Sequence, residues 1–443
     1  MIVGSRMRYA SIRLALAIAA IACGIARQAT TEPTLQDAAS AAKLFEAGRF
    51  AEAGEIYTRL VAQDPIDQST VLQLGRIALL ANRLDDAEKW LERALTLKPD
   101  NTDAKIMLAE AFYRGDDFQK AASALDGVDV ATNKLVTEQY PTLNVAALQS
   151  FKGQTPYELQ GDGQVTRLKF VNTTGPLPVV SVRVNGGEEV IFFIDTGGSE
   201  VALDTDFAKE LGLTQFGEMQ GTFSGGEHAK VGQSRIDSFT LGDWTVHNLP
   251  VVTLALRQLS AGLGVKRIDG CIGITLLYHF LATLDYPKGE LVLRRKTAES
   301  LKQFAAEASA DRVAIPFWMA SDHFMVGWGR VETMPPTLLF VDTGLAGAGV
   351  KLAESVIKGA GIKLEEDKAY EGSGGGGQLK IVPYTVSQLS FGDVREDNVQ
   401  GLYDGPFPWE NMFGFHLAGM VGHDFFKPFA VTFDFDTMQI SLQ

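Results

Sequence analysis

Cysteine is nearly absent from this chain: its 443 residues hold two, Cys23 and Cys271. Once Cys23 is removed or lipidated, no intramolecular disulfide can form. The fold must then rest on packing, and a cysteine-rich metal site is excluded. Basic clusters are lacking beyond the extreme N-terminus. With a net charge of −14 and a pI near 5.0, recognition of nucleic acid through its phosphates is excluded. The six histidines are scattered and form no His-Glu-x-x-His pair, which leaves zinc chemistry unsupported. No Gly-x-Ser-x-Gly elbow is present, and Gly374 to Gly377 lacks the Lys-Ser or Lys-Thr of a phosphate loop. The apolar stretch Leu14 to Ile21 is shorter than the roughly 20 residues that span a bilayer.

What is present is a globular composition, 46% hydrophobic and 21% charged, long enough for two or three domains. The first residues read as an export signal, taken as residues 1–29. Arg6, Arg8 and Arg13 precede the apolar stretch, and Ala20-Ile21-Ala22 offers a cleavage site. Cys23-Gly24 resembles a bacterial lipoprotein junction, although such junctions usually carry Leu where this chain has Ala20. The expected location is therefore exported and periplasmic. Membrane attachment would come only through a lipid on Cys23, and a soluble protein is the alternative.

From Thr34 the chain is rich in Ala and Leu and repeats every 34 residues. Ala53, Ala87 and Ala121 carry this spacing, as do Phe50, Leu84 and Phe118, and Pro65 and Pro99. Leu74-Gly75 and Leu108-Ala109 add a small-residue position in two copies. The pattern resembles the tetratricopeptide repeat, with Ala allowing close helix approach and Pro ending the second helix. Three copies over residues 34–128 meet the minimum for a stable stack. Such a groove usually holds a peptide or partner protein; the plainer reading is a packing platform.

After residue 150 the chain turns to glycine and to short β-branched and aromatic runs, the signature of strands and turns. A strand over residues 178–184, the turn Asn185-Gly186-Gly187 and a strand over residues 190–194 lead into Asp195-Thr196-Gly197. Residues 324–331 and 338–341 repeat the arrangement before Asp342-Thr343-Gly344. Glycine-rich turns follow at Gly225-Gly226 and at Gly374-Gly375, and then the hydrophobic-Gly pairs Ile272-Gly273 and Val421-Gly422. From there the copies stay in step at an offset of 149, Gly273 matching Gly422, Thr283 matching Thr432 and Asp285 matching Asp434. One Asp-Thr-Gly arises by chance in about one chain in ten of this length. The whole set does not, and the region is a duplication.

These motifs together resemble the retropepsin-like aspartic peptidases, in the bacterial type with two lobes fused in one chain, over residues 165–443. The resemblance implies that Asp195 and Asp342 are the catalytic pair, one from each lobe. It implies that Thr196 and Thr343 cross-brace the active loops, and that Gly197 and Gly344 permit the tight turns. Gly225, Gly226, Gly374 and Gly375 would belong to flaps that close over a peptide. Two carboxylates about 3 Å apart share one proton, so one can activate water while the other donates to the carbonyl. No cofactor beyond water is implied. The family favours Ala or Ser after Asp-Thr-Gly; this chain has Gly198 and Leu345, and Leu345 is bulky beside an active site.

The expected architecture is multidomain: an all-α helical repeat (34–128), a linker (129–164), and two β-rich lobes (165–298 and 312–443) joined by a linker (299–311). The expected function is exported endoproteolysis, with the repeats recruiting a substrate or partner. The alternatives are a peptide-binding scaffold with inactive lobes and an enzyme that needs a partner on its repeats. Asp285 and Asp434 read as surface acids of closing strands, and Cys271 reads as a buried apolar residue. Pairing of the lobes within one chain or between two is left open.

Overall fold

The computed structural model describes residues 35–309 and 311–443. The expected export segment and Cys23 lie outside the described residues. Among the described residues, no helix is long and apolar enough to cross a membrane.

Helices form where the 34-residue pattern places them. Three consecutive pairs are α1 (Leu35–Glu46) with α2 (Phe50–Gln63), α3 (Gln68–Leu80) with α4 (Leu84–Leu97), and α5 (Thr102–Arg114) with α6 (Phe118–Ala124). Ala53, Ala87 and Ala121 are each fully buried, as close helix approach requires. Pro65 and Pro99 lie just past α2 and α4, where a missing N–H and a fixed φ end a helix. The next helix is then capped by a side chain: Asp67 accepts from the Ser69 N–H, and Asn101 accepts from the Ala104 N–H.

The second helices α2 and α4 bury one face, whereas α3 and α5 are buried around most of their circumference. The extra cover comes from the β-rich half of the same chain. Phe50 of α2 packs edge-on against Trp318 and Phe415, with centroids 5.1 and 4.9 Å away. Arg76 of α3 donates to the Phe413 carbonyl at 2.7 Å. The face presented by α3 and α5, where a partner could have docked, is thus occupied internally.

Residues 129–164 fold rather than simply linking. They contain α7 (Lys134–Gln139), α8 (Val145–Gln149) and the edge strand β1 (Glu158–Gln160). Lobe 1 continues with β2 (Val165–Lys169), β3 (Val179–Val184), β4 (Glu189–Ile194), β5 (Val201–Asp204), α9 (Thr205–Glu210) and β6 (Gly217–Thr222). It ends with β7 (His228–Leu241), β8 (Trp244–Leu254), β9 (Gly270–Ile272), α10 (Ile274–Leu277), β10 (Leu281–Asp285) and β11 (Glu290–Arg294). Helix α11 (Ala298–Ala306), capped by Thr297, fills most of the inter-lobe segment.

Lobe 2 repeats the plan. Its elements are β12 (Val313–Ala320), β13 (Phe324–Val331), β14 (Thr337–Asp342), β15 (Val350–Leu352), α12 (Glu354–Gly359) and β16 (Tyr370–Gly374). Then come β17 (Gly377–Phe391), β18 (Val394–Tyr403), β19 (Leu417–Gly422), α13 (His423–Phe426), β20 (Ala430–Asp434) and β21 (Gln439–Leu442).

An 8-stranded sheet ordered β1-β8-β5-β9-β4-β3-β7-β6 builds lobe 1. A 13-stranded sheet runs through lobe 2 and ends on β12-β21-β20-β10-β11-β2, so its last three strands come from lobe 1. At the seam β10 pairs antiparallel with β20, and Thr283 faces Thr432 directly. Their hydroxyls bond at 2.7 Å. Residues that match at an offset of 149 meet here across a pseudo-twofold axis. The lobes therefore pair within one chain, joined by shared backbone hydrogen bonds.

Of the two strand-closing acids, Asp434 is part-exposed as expected, whereas Asp285 is not a surface acid. Asp285 is buried and accepts from the Lys288 N–H at 3.0 Å, while Asp434 accepts from the Asp436 N–H at 3.0 Å. Each closes the turn after its strand.

Candidate active site

Each lobe delivers its aspartate by the same local route. Strand β4 runs parallel to β9 in the lobe 1 core, and the Asp195 N–H donates to the Ile272 carbonyl at 3.0 Å. Strand β14 runs parallel to β19, where Asp342 faces Gly422. The hydrophobic-Gly pairs Ile272-Gly273 and Val421-Gly422 thus form the strand ends against which the aspartate loops rest. Gly273 also leads into α10, whose Ile274 and Thr275 N–H groups bond the carbonyls of Gly198 and Ser199, both at 2.9 Å.

The loops meet across the pseudo-axis through their threonines. The Thr196 N–H donates to Thr343 Oγ1 at 3.0 Å, and the Thr343 N–H donates to Thr196 Oγ1 at 2.9 Å. Each hydroxyl then donates to the other lobe, Thr196 to the Val341 carbonyl at 3.0 Å and Thr343 to the Ile194 carbonyl at 3.4 Å. Both threonines are fully buried, so these donors and acceptors have no water to fall back on.

The brace sets the carboxyl groups side by side. Asp195 Oδ1 accepts from the Gly197 N–H and Asp342 Oδ1 from the Gly344 N–H, each at 2.8 Å. Glycine is required at both turns by space. A Cβ on Gly197 would stand 2.6 Å from the Asp342 carboxylate, and one on Gly344 would stand 2.2 Å from Asp195 Oδ1.

Burial pushes both carboxyls above the ordinary carboxylate range. The charge of Asp195 pushes Asp342 further up, whereas the Gly197 N–H and the neighbouring Asp342 draw Asp195 back down. Each carboxyl thus perturbs the other, and the pair titrates as a unit.

The two glycine-rich turns sit at the tips of hairpins β6–β7 and β16–β17, and the tips touch. A Cβ at Gly375 would meet the Phe223 ring at 2.5 Å, and one at Gly225 would meet the Asp404 carbonyl at 2.8 Å. Gly226 and Gly374 lie in the same two tips. Ser224 fastens the first tip to lobe 2: its hydroxyl donates to Asp404 Oδ2 at 2.8 Å and accepts from Lys351 Nζ at 2.7 Å. Lys351 and Asp404 form a fully buried ion pair. The lysine ammonium is close enough to Asp342 to draw its carboxyl slightly downward.

Leu345 does not crowd the dyad. It is buried in the lobe 2 core, so close to Gly422 that a Cβ there would meet its Cδ2 at 2.6 Å. Cys271 is buried in β9, and burial pushes its thiol well up, which leaves it inert. Sequence reasoning missed Lys351, Asp404 and Ser224. A lysine between Val350 and Leu352 in an otherwise apolar strand was the one visible signal.

Residues 180–276, which include Asp195-Thr196-Gly197 and Ile272-Gly273, match the aspartyl protease family model. Residues 44–95 and 72–134 match tetratricopeptide repeat models. The chain joins tetratricopeptide repeats to an aspartyl protease domain. The protease match falls within lobe 1. Kinship of lobe 2 to that aspartyl protease domain rests on the sequence offset of 149 and on the reciprocal threonine brace. No curated protein matches the chain.

Proposed function

We propose that the protein is an exported aspartic endopeptidase, in which a water held between Asp195 and Asp342 attacks the peptide carbonyl. The ionised carboxyl removes a proton from the water while the protonated one donates to the carbonyl oxygen. The single observation that carries this reading is the cross-braced carboxyl pair, one aspartate from each lobe, each held by a glycine N–H of its own loop. The hairpin tips serve as flaps, gripping the peptide main chain as an added strand and excluding water. Because Ser224 ties one tip down, peptide entry requires its two bonds to lobe 2 to break.

The N-terminal charge and hydropathy pattern supports export to the periplasm, and Cys23-Gly24 supports a lipid anchor. Labelling cells with an alkyne fatty acid, beside Cys23→Ser, separates the anchored from the soluble form. Recruitment by the repeats falls to surfaces other than the face of α3 and α5.

The test is cleavage of an unbiased peptide library from pH 4 to 8 by the parent, Asp195→Asn and Asp342→Asn. Loss of cutting in both variants is expected. Cutting that survives either substitution removes that aspartate from the mechanism. A folded parent that cuts nothing but binds library peptides identifies a scaffold instead.

A further inference from the structure

Helix α5 of the third repeat carries three adjacent polar side chains into the junction of the two lobes. Glu110, Tyr113 and Arg114 are all buried. Buried groups of this kind are costly unless every polar atom has a partner, so what they touch matters. The Tyr113 hydroxyl donates to the Glu200 carboxylate. Glu200 closes the Asp195 loop just before β5, and it is itself buried. Burial, with the charge of Glu200 adding to it, pushes the Tyr113 phenol far above its usual range, so it remains a donor.

Its neighbour on the helix reaches the other lobe. Arg114 donates from Nε to Glu110 at 2.7 Å, from Nη1 to the Leu79 carbonyl at 2.9 Å, and from Nη2 to the Ser321 carbonyl. Ser321 lies in the turn between β12 and β13 at φ 56°, a conformation non-glycine residues seldom adopt. Strand β13 pairs with β14, the strand that carries Asp342. The same turn includes Asp322, bonded at 2.5 Å to His323. Consecutive residues of one helix thus hold the loop of one aspartate and the hairpin beside the strand of the other.

We propose that Tyr113 and Arg114 are positioning residues of the dyad, so that α5 clamps both lobes and the third repeat is part of the catalytic unit. This rests on the peptidase reading. The β10–β20 seam, the threonine brace and the Ser224 tie already join the lobes directly, and α5 adds an attachment made from outside both. Each further attachment narrows the relative orientations open to two rigid bodies. A dyad that shares a proton needs its carboxyls held to within a fraction of an ångström.

The experiment compares the whole chain with Tyr113→Phe, which keeps the ring and removes the hydroxyl, and with Glu200→Gln, which keeps an acceptor. The assay peptide is the best-cut member of the library. Tyr113→Phe is expected to lower kcat about tenfold, with KM within about twofold, because a small misplacement of reacting groups is expensive. Glu200→Gln is expected to retain kcat within about threefold, and to add nothing in the Tyr113→Phe background.

Hydrogen exchange read by mass spectrometry gives a second readout that needs no activity. Residues 196–203 should exchange faster in Tyr113→Phe, while α1 to α4 and the β10–β20 seam stay at parent rates. Parent values for kcat and for exchange in 196–203, with only a lower Tm, overturn the proposal, as does a loss confined to KM. If the parent cuts nothing, the peptidase reading fails. Exchange then decides the clamp alone: faster exchange in 196–203 supports it and unchanged exchange overturns it.

Discussion

Lobe 1 places Ala202 on the strand that follows its aspartate loop, and lobe 2 places Lys351 at the corresponding point. The correspondence is structural: Ala202 pairs with Cys271 and Lys351 with Met420, residues that themselves match at the offset of 149. Around the dyad the lobes agree in every bond, from the glycine N–H contacts to the threonine brace. One step outward they part. Lobe 1 has Gly198 and a Glu200 that ties the aspartate loop itself to the helical repeat, while lobe 2 has Leu345 and a buried lysine tied to the opposite hairpin tip. A shared-proton pair tolerates little change in the groups that aim it, but its walls are free to diverge after duplication. The surroundings of the pair are asymmetric in consequence.

The largest effect that sharpens this contrast is expected at Lys351. Lys351→Met leaves Asp404 buried and unpaired, and should destabilise the protein by about 3–5 kcal/mol in urea unfolding. Adding Asp404→Leu should recover most of that loss, since both charges are then gone. The matched change in lobe 1, Ala202→Val, should cost under about 3 kcal/mol, because only packing is disturbed. Equal costs for Lys351→Met and Ala202→Val would remove the asymmetry.

A middle-sized effect tests the symmetry of the brace. Thr196→Val and Thr343→Val each remove one hydroxyl that both accepts and donates across the axis. Each should cost about 1–3 kcal/mol, with the two values close to one another. A cost for one substitution and none for the other contradicts a reciprocal brace.

The smallest effect concerns the repeat side. Burial pushes Glu200 up to about 7 and Glu110 up to about 8, against the pull of Tyr113 and Arg114 respectively. A carboxyl raised in the folded state keeps a proton that the unfolded chain releases, so stability falls as pH climbs from the ordinary carboxylate value up to the raised one and levels off above it. His423, lowered by burial to about 4, acts in the opposite sense only below its unfolded value of 6.5. Tm is therefore expected to fall by a few degrees between pH 6.5 and 8, and Glu200→Gln should flatten the lower end of that slope, leaving the part above pH 7 to Glu110. A Tm that rises over this interval contradicts the burial of these acids at the junction.

Much of this was legible in the sequence because it is local or duplicated. The 34-residue spacing gave the helix pairs, and the strand-Asp-Thr-Gly units gave the loops. The second copy supported what a single motif could not. What stayed hidden depends on docking between distant segments. Nothing near Tyr113 announces Glu200, nor does Ser224 announce Lys351, because partners 87 and 127 residues apart leave no periodic trace. Residues 129–164 read as a linker since their helices are short and β1 has three residues. Leu345 read as an obstruction because sequence position does not reveal which way a side chain turns.

The central claim is a carboxyl pair built from both lobes that holds one proton. It is tested most directly by following the aspartate carboxyl carbons by NMR in protein labelled with 13C-aspartate, with Asp195→Asn and Asp342→Asn giving the assignments. The two signals are expected to titrate together, with one proton persisting above the ordinary carboxylate range until either residue is replaced. Two independent titrations near the usual value of about 3.9, each indifferent to loss of the other, would contradict it.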